Sequence, residues 1–203
     1  MIIYLAGPDV FHPQWLNLGI LKKEVCHHHG FDAIFPTDYM PEDIWTKDPL
    51  TQARMIRQAC IDGMNNADMI LANMSPFRGA GMDGGTAFEM GYMDALGKPV
   101  YAYTHGKATY IERVLENNHL PYHTYQHDGK HYSHSLNKGK AEEGVIYLDD
   151  SGLVIENFND IDNCMMTQTV YQYMDKIPCA DSTDFYDLSG FIKAIKIIKS
   201  KNN

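Results

Sequence analysis

The sequence predicts an open α/β fold: a flavodoxin-like or Rossmann-like parallel sheet with helices on both faces. Three observations carry this reading. Short apolar runs recur at residues 2–6, 33–36, 69–72 and 100–104. Stretches with roughly helical spacing of apolar residues separate them, at 14–28, 49–66 and 85–96. Turn formers bound these runs: Gly7-Pro8 closes the first, Thr37-Asp38 follows the second, and Gly97 and Pro99 lead from a helix into the last. Strands alternating with helices imply βαβ units and a parallel sheet. Right-handed crossovers then put helices on both faces. Ligands of such sheets bind beyond the carboxyl ends of the strands. The loops there begin near Gly7, Ser75 and Thr104.

The elements follow in order. Ile2-Ile3-Tyr4-Leu5-Ala6 is a buried first strand stopped by Gly7-Pro8. Leu16, Leu18, Ile20, Leu21 and Val25 mark the first helix. Leu50, Ala53, Ile56, Ala59, Ile61 and Met64 mark a second. Met69-Ile70-Leu71-Ala72 is a core strand, followed by the loop Ser75-Pro76-Phe77-Arg78-Gly79. A helix over 85–96 leads into a strand at 100–104. Residues 105–160 change character, being rich in His, Tyr, Asn, Gly and Lys, and read as an insertion on a single 1–203 domain. Within them, Val145–Leu148 and Leu153–Ile155 flank Asp149-Asp150-Ser151-Gly152 and predict a hairpin. Residues 161–175 and 187–200 read as helices.

Composition narrows the function classes. The net charge of -9 (17 basic, 26 acidic residues) supplies no basic patch for nucleic acid, apart from a few lysines at 193–201 that read as a solvated helix face. No apolar run approaches the ~18 residues of a membrane span. The apolar N-terminus lacks a basic leader and reads as a strand. The cysteines Cys26, Cys60, Cys164 and Cys179 have no CxxC spacing, which fits reduced thiols in a cytoplasmic protein.

The most informative segment is Gly81-Met82-Asp83-Gly84-Gly85-Thr86-Ala87-Phe88-Glu89-Met90-Gly91. Asp83 stands where a helix N-cap would stand. The glycines, Gly85 among them, permit close approach of backbone or ligand. Glu89 falls in the second turn, where the helix N-terminus favours an ionised carboxylate. Such a carboxylate can trap a sugar at its anomeric carbon, as retaining glycosyl transfer requires. Read without further context, Asp83 is equally a plain cap and Glu89 a plain helix carboxylate.

This segment resembles the signature of the nucleoside 2-deoxyribosyltransferase family: Asp, a Gly-rich step, then Glu followed two residues on by Gly. Ile3-Tyr4-Leu5-Ala6-Gly7-Pro8 is similar to that family's first strand and loop. Asn73-Met74-Ser75-Pro76-Phe77-Arg78-Gly79 resembles its purine-preferring branch, and Ala95-Leu96-Gly97-Lys98-Pro99-Val100 its next helix-to-strand turn. The likeness covers residues 1–104, is weak over 105–155, and returns near Asn163-Cys164-Met165.

The resemblance implies a set of roles. Glu89 is the nucleophile, Tyr4 orients it, and Asp83 holds a sugar hydroxyl. Asn163, with Met165 beside it, reaches into a neighbouring subunit's site, so the protein is a homo-oligomer. Gly7, Pro8 and Phe11 border the base, with Ser75, Pro76, Phe77 and Arg78 in the following loop. Cys60 stands where the family carries an Asp or Asn near the base, and a thiol is a poor donor to a purine. Asp62 points elsewhere on the helix. The partners implied are a 2-deoxynucleoside and a free nucleobase, with no cofactor and no metal.

Other signals carry less. Gly79-Ala80-Gly81-Met82-Asp83-Gly84 fits GxGxxG but does not directly follow a strand. His27-His28-His29 sits at a helix end, where positive charge is favoured. Of His119, His123, His127, His131 and His134, His123 and His127 would share a face of an extended strand, but Pro121 and Gly129 interrupt any regular element. Arg78 is placed to bind a phosphate or to brace the sheet edge.

Three functions compete. The first is base exchange between 2-deoxynucleosides. The second is an N-glycosidase of the same superfamily, in which water takes the sugar; its nucleotide form is disfavoured by Asp9 and Asp83, which would repel a 5′-phosphate. The third is a nucleotide-derivative sensing module without turnover.

Overall fold

The computed structural model describes residues 1–116 and 122–202; the calls on His119 and Pro121 lie outside these. A four-stranded parallel sheet runs in the order β2-β1-β3-β4, with β1 Ile2–Ala6, β2 Asp32–Ile34, β3 Met69–Asn73 and β4 Val100–Tyr103. This is the 2-1-3-4 order of flavodoxin-type sheets. β3 and β4 are buried along their whole length, as strands covered on both faces must be. Beyond β4, Thr104 makes a parallel bridge to Cys179, a rudimentary fifth edge position.

The register shows which face each helix covers. Tyr4 pairs with Ile70, and Ile70 with Val100, so their side chains share one face. Against Tyr4 lie α2 (Pro49–Asn66) and α3 (Gly84–Ala95). Tyr103 lies at the opposite parity and meets Lys22 of α1 (Trp15–His28) and Phe191 of α6 (Ser189–Lys201). Two helix layers therefore enclose the sheet. The core joins both, from Ile3, Leu71 and Ala102 to Met90, Phe191 and Ile195. α5 (Cys164–Tyr171) is shorter than the 161–175 expected and packs on α3 and β4.

Residues 105–160 hold a short helix α4 (Tyr110–Leu115) and a three-stranded sheet of β5 (Thr124–His127), β6 (Lys130–Ser133) and β7 (Val145–Tyr147). Two expectations are corrected here. Gly129 does not interrupt regular structure: Asp128 (φ 48) and Gly129 (φ 72) form the two-residue turn of the β5–β6 hairpin. Both residues have the positive φ that a type I′ turn demands. The hairpin expected at 145–155 is only one bridge long, Leu148 with Val154. Val145–Tyr147 instead pairs in parallel with His131–Ser133. Among the described residues, no three His, Cys, Asp or Glu side chains converge as a metal would require.

Candidate active site

Tyr4 lies mid-strand on β1 and is fully buried. Its hydroxyl donates to Glu89 Oε1 at 2.7 Å. Asp83 caps α3, its Oδ2 accepting from Thr86 N at 2.8 Å and Thr86 Oγ1 at 2.9 Å. That cap fixes the helix start at Gly84, which places Glu89 on the face turned to Tyr4. Gly85 leaves room for the cap, since a Cβ there would stand 3.0 Å from Asp83 Oδ2 and press on it.

Burial outweighs the helix dipole at Glu89. Its carboxyl is raised to about 7, first by loss of water and then by the nearby Asp83 charge, while bonds from Tyr4 and Cys60 pull the other way. The dipole fades beyond the first turn, and Glu89 is in the second. Tyr4 itself is pushed far up by burial, then by Glu89, so it remains a proton donor. Tyr4→Phe is accordingly expected to lift the Glu89 carboxyl further. The acid limb of the rate profile should move to higher pH and kcat/KM should fall about 10- to 100-fold. A full pH–rate series on the variant checks both.

Cys60 on α2 faces the same pair, its thiol interacting with Tyr4 and Glu89 and raised chiefly by burial. Asp62, as expected, points elsewhere and accepts from Gln58 Nε2 at 2.8 Å. Gly63, which carries no signal in the sequence, lets α2 lie flat on the Tyr4 ring: a Cβ there would meet Tyr4 Cε2 at 3.1 Å.

The first loop is shaped by Gly7 (φ 153), where a Cβ would fall 2.5 Å from Asp9 Oδ2 and 2.6 Å from Asn73 Cβ. Pro8 opens a short 3-10 turn, Pro8–Phe11. Phe11 stacks on Phe77 with centroids 5.0 Å apart, and the Arg78 guanidinium lies over both rings at 5.1 and 4.6 Å. Arg78 thus braces aromatics, with φ 54 set by the turn that bridges Pro76 to Met82.

Asp9 does not face this site. It is 2% exposed and paired with Lys22 Nζ at 2.6 Å, and it accepts from Asn73 Nδ2 at 3.2 Å. The expectation that Asp9 repels a 5′-phosphate is therefore corrected: its charge is turned inward and neutralised. Ser75 belongs to the same buried network, donating to Asn73 Oδ1 and accepting from the His105 backbone N–H at 2.9 Å.

Asn163 caps α5, its Oδ1 accepting from Met165 N at 2.9 Å, while its Nδ2 donates to Glu156 Oε1 at 2.5 Å. Met165 is 76% exposed. Sequence reasoning missed Arg113 of α4, whose guanidinium ties the loop before Asp83 to the segment before Asn163. It donates to Ala80 O (2.6 Å), Ala108 O (2.5 Å) and Ile161 O, and pairs with Asp162. Asp162 Oδ2 in turn accepts from Met82 N at 2.9 Å. Arg113→Ala leaves Asp162 and three carbonyls without this partner. We expect a loss of roughly 3–5 kcal/mol of stability, measurable by urea unfolding, as for a broken buried pair.

Residues 3–165, most of the chain, match the family model described as nucleoside 2-deoxyribosyltransferase. A curated protein of Schizosaccharomyces pombe, described as uncharacterized, is 35% identical over 114 residues, 55% of this chain and 54% of that protein. The chain thus spans about half the length of that relative. Among solved structures, a 2-desoxiribosyltransferase from Leishmania mexicana is similar over 95% of this chain and 97% of its own, with TM-score 0.58 and 23% identity. A protein of Enterococcus faecalis V583 is similar over 97% of both chains, with TM-score 0.50 and 17% identity. These two structures share the fold.

Proposed function

The chain belongs to the nucleoside 2-deoxyribosyltransferase family, and on that premise we propose that it moves 2-deoxyribose between nucleobases, purines foremost, through a covalent ester on Glu89. The observation that carries this reading is the Tyr4 hydroxyl 2.7 Å from Glu89 Oε1, a donor aimed at a partly buried carboxylate. In the first step the ionised carboxylate attacks C1′. The C1′–N bond breaks, its electron pair passes to the base, and the base takes a proton from solvent, to which the incoming base later returns one. In the second step the nitrogen of another base attacks C1′, the ester bond breaks, Glu89 regains its charge, and the incoming base loses its N–H proton. Two inversions give retention. A 2-deoxy sugar suits the step, because no 2-hydroxyl withdraws electrons from the developing cation.

A carboxyl with its midpoint at about 7 is ionised in only part of the population at neutral pH. Tyr4 and Cys60 favour the charged form that attacks. Asp83, on the same helix start, is assigned the sugar hydroxyl. The direct test is intact-protein mass after incubation with deoxyinosine alone. A deoxyribosyl adduct present in the wild type and absent in Glu89→Ala supports the intermediate; an unmodified wild-type protein that still turns over contradicts it.

The exposed Met165 supports the shared-site reading, in which Asn163 and Met165 of one copy complete a second copy's site. Mixing inactive Glu89→Ala with inactive Asn163→Ala is then expected to restore part of the activity, up to about a quarter in randomly re-formed dimers. No recovery after co-refolding would contradict a shared site.

Hydrolysis is the second reading. It gains from the inward-facing, neutralised Asp9, which removes one of two charges set against a 5′-phosphate. Release of free deoxyribose in the presence of excess acceptor base would favour it.

A further inference from the structure

A cavity of about 430 Å³ opens between the first loop, the 37–45 segment and α2. Phe11, Trp15, Met40, Trp45 and Ile56 form much of its wall, and only Thr37 and Glu42 among its lining residues are polar. The wall stands largely in water, Phe11 being 54% and Trp45 68% exposed. Rigid aromatic surface around a concavity is what a flat apolar group covers favourably.

The cavity lies one helical turn from Cys60, which interacts with the nucleophile. Ile56 and Cys60 are four residues apart on α2, so they stack on one face about 6 Å apart. Cys60 touches Tyr4 and Glu89. Phe11, at the cavity's other side, stacks on Phe77. A base whose glycosidic nitrogen lies near Glu89 therefore projects its far edge toward Ile56 and Trp45.

We propose that this cavity takes an apolar substituent on the nucleobase, borne on the edge opposite the glycosidic nitrogen, so that base-modified deoxynucleosides are preferred to plain ones. The inference rests on the transferase reading above. An unsubstituted exocyclic amine finds few partners on these walls, and a polar group buried without one is disfavoured. An alkyl or aryl group on that amine instead covers Met40, Ile56 and Trp45. The volume falls in the range of roughly 300–1,000 Å³ that buries drug-sized ligands, more than the edge of a two-ring base fills.

Binding and turnover separate the two claims. The chain has only two tryptophans, and both line the cavity, so their fluorescence reports its occupancy. N6-benzyladenine and adenine are titrated against the wild type and against Trp45→Ser, and each is offered as acceptor with deoxyinosine as donor. The inference expects N6-benzyladenine to bind at least about tenfold more tightly than adenine, a discrimination one apolar group in a pocket supplies. It also expects that ratio to fall severalfold in Trp45→Ser, where Trp15 still reports. Equal or weaker binding of N6-benzyladenine overturns it, as does a ratio that Trp45→Ser leaves unchanged. Should neither base accept deoxyribose while the binding preference holds, the transferase reading fails and the cavity assignment stands. Should adenine accept it while the preference is absent, the reverse is concluded.

Discussion

Glu89→Gln is expected to lower base exchange by on the order of a thousandfold or more, while making the protein more stable at alkaline pH. The loss follows from removing the atom that bonds to C1′: nucleophile deletions cost this much or more, leaving only what binding and positioning supply. The gain follows from burial. The folded protein holds the Glu89 carboxyl at about 7 against an ordinary 4.5, so the fold favours its protonated form. That contribution is fully present below pH 4.5 and lost as pH rises through about 7. Above pH 7 an ionised Glu89 costs on the order of 1–3 kcal/mol relative to a neutral amide, at 1.36 kcal/mol per pKa unit. Glutamine keeps an oxygen to accept from Tyr4. The Tm difference between variant and wild type should therefore be small at pH 4.5, grow to about 2–10 °C by pH 8, and then level off. A constant difference across pH would mean that the carboxyl is not raised.

A larger stability effect than that at Glu89 is expected away from the nucleophile. Lys22→Met should cost about 3–5 kcal/mol, because it leaves Asp9 as a buried charge without its cation. The Lys22 amine lies 2.6 Å from Asp9 and donates to Tyr103 OH at 2.6 Å, over the Tyr103 and Phe191 rings. Burial holds it below the usual lysine range even with Asp9 beside it. Asp9 also joins Asn73, and through it Ser75 and His105, so the ends of β1, β3 and β4 share one polar network. The double variant Lys22→Met with Asp9→Leu should recover much of the loss, since an apolar pair can replace a buried ion pair at little cost. Denaturant midpoints of the two singles and the double decide this. A double variant no more stable than Lys22→Met would mean that the network, rather than the lone charge, sets the cost.

Much of the architecture was legible because it rests on local rules. Alternating apolar runs and helical periods located the four sheet strands, and Asp83 read as a cap because Asp is a strong acceptor for the free N–H groups of a first turn. That cap also set the face of Glu89, which spacing alone left open. The parts not legible depend on contacts between distant segments. Lys22 sits beside Lys23 in sequence and looks like half of a solvated pair; only the packing of α1 on the sheet buries Lys22 against Asp9 and Tyr103 and leaves Lys23 partly exposed. Arg113 reads as an ordinary cation of a short helix until Ala80 and Ile161 are brought to it. The Asp128-Gly129 turn is readable, since Asp-Gly favours the two-residue hairpin, although Gly129 within a His-rich stretch reads equally as an interruption. The raised carboxyl of Glu89 is not legible locally, because the helix dipole acts near the helix start whereas burial is a property of the assembled fold.

In the proposed reaction Glu89 carries deoxyribose from one base to another. The most direct measurement is incubation with deoxyinosine and free adenine, with chromatography of all four bases and nucleosides, alongside a deoxyinosine-only control and Glu89→Ala. Deoxyadenosine and hypoxanthine should form together in the wild type, and neither in the variant. Deoxyadenosine formed equally well by Glu89→Ala would contradict it.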